Sequence, residues 1–333
     1  MIRAQIHRVL NRSKDLLLFN PLLTAHWVEK LRGTVTCLVY HRIDRPENHA
    51  FLTRGGVPVI EPEDFFHELR FLLDNGVKFW TFDDLLRKPF PESTEIVFII
   101  SIDDGFLDCY TNGVDVLDSL SIKAVFFQST GLVDSESLIW EHDLYWHTRD
   151  SQTSTAFTAF VHRVHPNSIE LRSRSGRRLV EYLREDCPPE MVEHILEKAR
   201  EPLGSATSVA GRIYPRAEFL RRAHEQGHQI GSHGHNHYKR RNIDSLQFKT
   251  ELEVSSKRLG EILGYQPRLF SFPFNSYAHH DDEICSEFFD QVATVDARRI
   301  TEETSPLWLP RFTWMGPMKN RFRQRRWQLT GSI

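Results

Sequence analysis

The sequence has few cysteines, and their placement excludes two common uses of this residue. Four cysteines lie far apart among 333 residues, and no two of them form a CxxC pair. We therefore expect neither a disulfide framework nor a thiolate zinc site, and we predict a reducing, cytoplasmic compartment. Cys37 and Cys109 lie in or beside apolar runs, which predicts buried thiols.

Long apolar runs are also missing. No run approaches the 18 residues of a membrane-spanning helix, so we expect none. Near the N-terminus, Asn20 and Pro21 interrupt the run LLLFNPLL and no small-residue cleavage site follows, so we expect no signal peptide. Residues 1–33 are predicted to form a helical extension with an apolar face made by Ile2, Ile6, Val9 and Leu10. That face is expected to pack on the main domain, with peripheral membrane contact as the alternative.

The chain has no excess of charge of one sign. Lysine and arginine together number 42 against 45 acidic residues, for a formal net charge of −3, which argues against a nucleic-acid partner. The exception is KNRFRQRR at 319–326, with five cations and no acid. We predict a solvated basic tail over 319–333, and contact with anionic lipid or a phosphate-bearing substrate is the alternative.

Short β-branched apolar runs alternate with helical patterns over residues 34–318. The runs at 34–40, 95–101, 123–129, 268–273 and 290–296 predict strands. A helix is predicted between Pro62, which opens it, and Gly76, which closes it. This alternation predicts an α/β fold with a parallel sheet, open or closed into a barrel. A long polar, helical stretch at about 134–212 breaks the alternation, and we interpret it as an insertion able to cover the rim or contact substrate.

Polar residues follow three of the predicted strands. His41 follows the first strand, Asp103 and Asp104 follow the second, and His233 and His237 follow a short strand at HQIGS. The carboxyl ends of parallel strands lie on one rim of the sheet, where α/β proteins place their chemistry. We therefore expect these residues to share one site.

Two histidines and one carboxylate form a three-ligand set for catalytic zinc or a similar divalent ion, with one position open for water. A neighbouring carboxylate can then accept a proton from the attacking water. Adjacent Asp103 and Asp104 cannot point the same way from an extended backbone, and Gly105 permits the tight turn that separates them. Alone, Asp-Asp-Gly is common in ordinary turns and His-x-x-x-His occurs in structural loops. Together, at strand ends, they predict a metal site.

These motifs carry a family resemblance. The segments FIISIDDGF, KAVFFQSTG, EQGHQIGSHGHNH and RLFSFPFN occur in this order. In them the chain resembles the polysaccharide deacetylases of carbohydrate esterase family four, the NodB homology domain, over roughly residues 34–133 and 213–312. The resemblance implies a distorted (β/α) barrel. It also implies metal-dependent removal of N- or O-linked acetyl groups from a carbohydrate, polysaccharide or glycan precursor.

The resemblance also implies roles for individual residues. Asp103 would be the general base, and Asp104, His233 and His237 would bind the metal, zinc in the first place with cobalt, nickel or manganese as alternatives. His235 falls between the ligands and is expected to lie beside the site or on the surface. The substrate pocket is predicted to be walled by Phe272, Pro273 and Phe274, with Trp140, Trp146 or Trp314 stacking on a sugar ring.

The sequence departs from the family pattern in two places. Ser271 stands where many members carry an arginine that orients the base, and the late Leu-x-His that supplies the general acid is missing. His41 is predicted to replace that acid, because YHR at the end of the first strand resembles a subset of the family. Weaker candidates are His142, His279 and His280. A weaker mechanism, or a degenerate relative without catalysis, stays open.

The leading prediction is a metal-dependent carbohydrate deacetylase. One alternative is a deformylase or deacylase of a lipid- or nucleotide-linked sugar, and another is a catalytically degenerate glycan-binding module. A phosphatase or nuclease would normally require more carboxylates for a pair of ions. The sequence leaves open the sugar, the acyl position, amide against ester, and the oligomeric state.

Overall fold

The structure, a computed structural model, describes residues 29, 31–204, 206–278 and 280–313. The predicted N-terminal extension, apart from its last residues, and the predicted basic tail lie outside the described residues, as do His279 and Trp314. Among the described residues, no helix is long and apolar enough to cross a membrane.

The described chain alternates strands and helices. The strands are β1 (Thr34–Tyr40), β2 (Arg42–Ile43), β3 (Val59–Ile60), β4 (Lys78–Trp80), β5 (Ile96–Ile102), β6 (Val125–Gln128), β7 (Gln229–Ser232), β8 (Leu269–Ser271), β9 (Gln291–Ala293) and β10 (Phe312–Thr313). The helices before residue 150 are α1 (Ala50–Gly55), α2 (Pro62–Asp74), α3 (Phe82–Arg87), α4 (Val114–Ser119) and α5 (Trp140–His147). Those after it are α6 (Ser151–Val164), α7 (Ile169–Arg172), α8 (Gly176–Asp186), α9 (Pro189–Leu203), α10 (Thr207–Ile213), α11 (Ala217–Glu225), α12 (Ser245–Leu263) and α13 (Asp281–Ser286).

Eight strands form one parallel sheet in the spatial order β10-β1-β5-β6-β7-β8-β9, with β4 also paired to β5. β1 and β5 pair along their whole length, so that Tyr40 lies opposite Ile102 and both strands end together. β6 and β7 likewise end together, with Gln128 opposite Ser232. This shared register places the residues that follow each strand on one rim.

The sheet is curled into the barrel-like form that the motifs predict, and the segment 309–313 links its two edges. Leu309 forms a bridge with Ala293 at the end of β9, and Phe312 pairs with Leu38 of β1. This short segment has no alternating apolar run, which is why β10 is absent from the sequence-based strands.

The two faces of the sheet have separate cores. In β5, Val97 and Ile99 belong to an inner cluster with residues of β1, β6 and β8. Phe98, Ile100 and Ile102 belong to the large core that packs against the surrounding helices. Side chains alternate across a strand, so a strand buried on both faces reads as the continuous apolar run seen in the sequence.

Helices α5 to α10 fill residues 140–213, between β6 and α11. The stretch from Gly176 to Arg200 reads as one helical pattern in the sequence, but it forms two helices, α8 and α9. The break falls at Cys187 and Pro188, because a residue before a proline is disfavoured in helical conformation.

Candidate metal centre and active site

Three side chains from two strand ends converge on one point. The Asp104 carboxylate oxygen Oδ1 lies 3.2 Å from Nε2 of His237 and 3.5 Å from Nε2 of His233. All three residues are buried. Two ligand atoms on one tetrahedral zinc ion are separated by a similar distance, about 3.3 Å. The structure therefore brings together the three residues that the sequence predicts as metal ligands.

Two of these residues have unusual backbone conformations. Asp104 has φ 70° and His237 has φ 57°, both in the left-handed region that costs free energy for a residue with a Cβ atom. Gly105, at φ 85°, completes the turn, and a methyl group added there would overlap the Gln128 side chain. Strained conformations of this kind are typical of functional sites.

Hydrogen bonds orient both histidine rings. Nδ1 of His233 lies 2.8 Å from the Ser271 carbonyl oxygen, which can only accept, so Nδ1 carries the proton. Nδ1 of His237 lies 3.1 Å from Oε2 of Glu141. Both Nε2 atoms are thereby left for a ligand, and Nε2 of His237 is buried without a hydrogen-bond partner among the described residues. This donor set suits a divalent ion.

The electrostatics of the site favour positive charge. Burial alone would lower the pKa of His237, but the Asp104 and Glu141 carboxylates outweigh burial and raise the pKa to about 10. Burial would raise the pKa of Asp104, but His237 and His41 hold it well below its ordinary value. Carboxylates that stabilise a proton on His237 in this way would also stabilise a metal cation.

The Asp103 carboxylate is buried and is held by an arginine. Arg311 donates to both of its carboxylate oxygens, from Nη1 to Oδ1 at 2.7 Å and from Nη2 to Oδ2 at 2.9 Å. Burial would raise the pKa of Asp103, but the Arg311 guanidinium outweighs burial and lowers it. Asp103 is therefore an oriented carboxylate that can accept a proton.

Arg311 corrects one expectation from the sequence. The alignment of motifs indicates that the arginine beside the base is missing, because Ser271 occupies its place. In the structure the linking segment 309–313 supplies an arginine instead, fully buried between Asp103, Ser101 and Ser271. Ser271 fits this arrangement, because its side-chain hydroxyl accepts a hydrogen bond from Nη2 of Arg311.

His41 lies on the same rim as the two aspartates. It follows β1 as Asp103 follows β5, and these two paired strands end together. A positive charge on His41 would lower the pKa of both Asp103 and Asp104. Its Nδ1 atom is buried without a hydrogen-bond partner among the described residues, while the residue as a whole is half-buried. This position is compatible with the predicted proton donor.

The other histidines near these motifs have structural partners or lie apart. Nδ1 of His235 contacts the Thr130 hydroxyl at 2.9 Å. Nδ1 of His142 contacts the Tyr214 hydroxyl at 2.7 Å, and burial lowers the pKa of His142 to about 4. His280 is exposed beside α13.

The predicted aromatic wall is divided in the structure. The ring of Phe274 packs on that of His237, with centroids 4.6 Å apart. Phe272 is only 2% exposed and packs into the cluster around Phe248 and Phe270, so its ring does not face the pocket. Pro273 lies between them and is buried.

Trp140 contacts the loop that carries His237. Its indole Nε1 donates to the Asn236 carbonyl oxygen at 3.1 Å, and its ring lies near Phe274. Trp140 also lines a cleft of about 450 Å³ together with Asn236 and the glutamates of α9. Trp146 instead packs on Phe51 of α1, where the insertion contacts the rest of the chain.

Two residues of the site were not found by sequence reasoning. Arg311 lies in WLPRFTW, and Glu141 lies in WEHDLYWH. The available signal was a charged residue within an aromatic segment, alone in the case of Arg311 and accompanied by Asp143 in the case of Glu141. A charged residue that is buried in such a segment needs a partner.

Comparison with known proteins agrees with this geometry. A family model described as polysaccharide deacetylase matches residues 91–287, more than half of the chain. The matched region contains both aspartates, His233 and His237. The chain belongs to the polysaccharide deacetylase family. No curated protein matches it.

Solved structures share the fold at low identity. PplD, a deacetylase of Streptococcus pyogenes solved with acetate, is 15% identical with a TM-score of 0.56, and the match covers 88% of this chain and 97% of PplD. IcaB of Ammonifex degensii is 17% identical with a TM-score of 0.54, over 90% and 97% of the two chains. BC0361, a polysaccharide deacetylase of Bacillus cereus, is 14% identical with a TM-score of 0.56, over 90% and 69%. At these identities the likeness establishes the barrel fold.

Proposed function

We propose that this protein is a metal-dependent hydrolase that removes acetyl groups from a carbohydrate, leaving acetate and a free amine or hydroxyl on the sugar. The observation that carries the proposal is the pairing of a buried Asp104–His233–His237 cluster with the arginine-held carboxylate of Asp103. A hydrolase that activates water with a metal ion needs both parts, residues that hold the ion and a base that accepts the proton of the water.

The residues of the chain would divide the reaction between them. Asp104, His233 and His237 would hold a divalent ion, zinc in the first place with cobalt, nickel or manganese as alternatives. Such an ion, when bound, would polarise the acyl carbonyl and acidify a water molecule. Asp103, kept ionised and oriented by Arg311, would accept the proton of the attacking water.

His41 would donate a proton to the leaving nitrogen or oxygen. Its support is its place on the same rim as both aspartates, together with the missing Leu-x-His motif. Phe274 and Trp140 would flank the sugar ring, because both lie against the loop that carries His237.

The experiment is acetate release by the zinc-reconstituted protein from N-acetylated chitooligosaccharides and from O-acetylated sugars. We expect release with the wild type and a loss of at least about 100-fold in Asp103→Asn, which keeps the shape but not the base. His41→Ala is expected to lose about as much, and a loss within about twofold would remove His41 from the mechanism.

Two controls make the result specific. His233→Ala should lose its bound zinc, whereas His228→Asn changes a buried histidine at the opposite end of β7 and should keep both metal and activity. A wild type that binds zinc but releases no acetate would contradict the acetyl specificity. Formyl and other small acyl groups on lipid- or nucleotide-linked sugars would then be tested, and inactivity there would leave a glycan-binding module.

A further inference from the structure

Glu141 is a buried carboxylate that no sequence motif assigns to the site. It is 4% exposed, and its Oε2 atom lies 3.1 Å from Nδ1 of His237, on the side of the ring opposite Asp104. Glu141 belongs to α5, the first helix of the insertion, and not to the barrel. The insertion therefore contacts a metal-ligand ring of the barrel by a charged hydrogen bond.

A chain of hydrogen bonds holds this carboxylate in turn. The Tyr145 hydroxyl donates to Oε1 of Glu141 at 2.5 Å, and Nη1 of Arg184 donates to the Tyr145 oxygen at 2.7 Å. Tyr145 lies one turn along α5, and Arg184 lies on α8. Both oxygens of Glu141 are thus occupied, which leaves its carboxylate a single orientation.

The neighbouring Trp140 strengthens the same contact. Its indole bonds to the carbonyl of Asn236, the residue before His237. The first turn of α5 therefore holds both the ring of His237 and the backbone that precedes it. A structural role for α5 alone would not require a carboxylate aimed at the one nitrogen of His237 that does not face Asp104.

We propose that Glu141 is a positioning residue of the metal site, through which the helical insertion sets the affinity for the ion. A carboxylate on the remote nitrogen of a ligand histidine fixes its tautomer and orientation and makes its other nitrogen a stronger ligand. The proposal deepens the proposed function and rests on it. It assigns the insertion a role in building the metal site beyond covering the rim.

The test measures the zinc dissociation constant by competition with a chelator, for folded variants checked by circular dichroism. We expect Glu141→Ala to bind zinc about 10- to 100-fold more weakly than the wild type. Glu141→Gln keeps the size and an acceptor but not the charge, and should bind about three- to tenfold more weakly. The visible spectrum of the cobalt-substituted protein should change in both variants, because the ligand geometry changes.

Asp143→Asn is the matched control. Asp143 is a buried carboxylate of the same helix, but it pairs with Arg200 and His147 instead of the site. It should bind zinc within about twofold of the wild type. Zinc affinities of folded Glu141→Ala and Glu141→Gln within about twofold of wild type would overturn the proposal, and so would an equal loss in Asp143→Asn.

A failure of the proposed function would look different. It would show as a wild type without stoichiometric zinc, or as a His237→Ala variant that binds zinc as tightly as the wild type. If Glu141→Ala does not fold, the isosteric Glu141→Gln decides between the outcomes.

Discussion

At the scale of single residues, the orientation of Asp103 depends on the guanidinium of Arg311, which lies 208 residues further along the chain. Arg311 is fully buried and makes hydrogen bonds to Asp103, Ser101, Ser271 and the Thr294 carbonyl. A planar fork that binds both carboxylate oxygens constrains the carboxylate more than a point charge does. The orientation of the Asp103 carboxylate is therefore set by the Arg311 side chain.

Arg311→Lys tests whether Asp103 needs only a positive charge beside it or also the two hydrogen bonds that orient its carboxylate. Lysine keeps the positive charge but cannot bind both oxygens, so we expect kcat to fall by roughly 100-fold while KM changes little. Steady-state kinetics of acetate release measure both quantities.

Arg42→Lys is the control for the loss of a buried arginine. Arg42 is also fully buried and is paired with Asp44 and Asp108. Both variants should be less stable, but kcat should fall in Arg311→Lys alone. An equal fall in kcat would mean that loss of stability, and not the orientation of Asp103, explains the effect.

At the scale of elements, helix α5 of the insertion packs closely against helix α1. Gly55, at the end of α1, lies under the ring of Tyr145, and a methyl group added at Gly55 would overlap that ring. Tyr145 is the residue that holds Glu141. Tyr145 therefore contacts both α1 and Glu141, the residue that is hydrogen-bonded to His237.

A pair of glycine substitutions tests this contact. Gly55→Ala should lower the free energy of unfolding by about 1–3 kcal/mol, because the added methyl group overpacks the interface. Gly211, in α10, has open space around its Cα atom, so Gly211→Ala should raise the free energy by roughly 0.5–1 kcal/mol through helix propensity. Denaturant unfolding of both variants checks the signs. A stabilised Gly55→Ala would contradict the close contact.

At the scale of the whole molecule, stability should depend on pH through a buried histidine outside the site. Nδ1 of His228 accepts from the Ala124 amide at 3.1 Å, and Nε2 lies 3.3 Å from Asp118. Burial, aided by Lys123, lowers the pKa of His228 to about 4 from an ordinary value near 6.5. A proton on Nδ1 would break the bond to the amide.

The sign of the pH effect follows from these two pKa values. Between about pH 4 and 6.5 the unfolded chain binds the proton and the folded chain does not, so the free energy of unfolding rises with pH. The contribution of His228 is fully present above pH 6.5 and is lost as the pH falls through 4. It amounts to at most about 3 kcal/mol.

His228→Asn measures this contribution. The asparagine oxygen can replace Nδ1 as the acceptor from Ala124 but does not titrate. Urea unfolding from pH 4 to pH 7 should show a steeper loss of stability on acidification in the wild type than in the variant. Equal slopes would show that His228 is not the residue responsible.

The sequence by itself determined the parallel α/β sheet and the centre of the site, because both depend on local patterns, whereas the closed form of the sheet was expected only from the family resemblance. Buried strands appear as apolar runs, and in parallel folds the residues after them share a rim, so Asp103, Asp104, His233 and His237 could be placed together. The bounds of β1 at 34–40 were predicted without error. The ends of β6, β8 and β9 were predicted one to three residues too long, because flanking polar residues carry little signal.

Only the tertiary structure decided how the site is supported. Arg311 reaches Asp103 across 208 residues, and Glu141 reaches His237 across 96. Such pairs leave no periodicity in the sequence. Which residue pairs with a buried charge depends on which distant segments the fold brings together. The positions of two phenylalanine rings also depend on the fold. A turn with φ 58° at Phe274 separates the buried ring of Phe272 from the ring of Phe274, which packs on His237. Strand ends are a local property of the chain, whereas the partners of buried charges depend on its three-dimensional path.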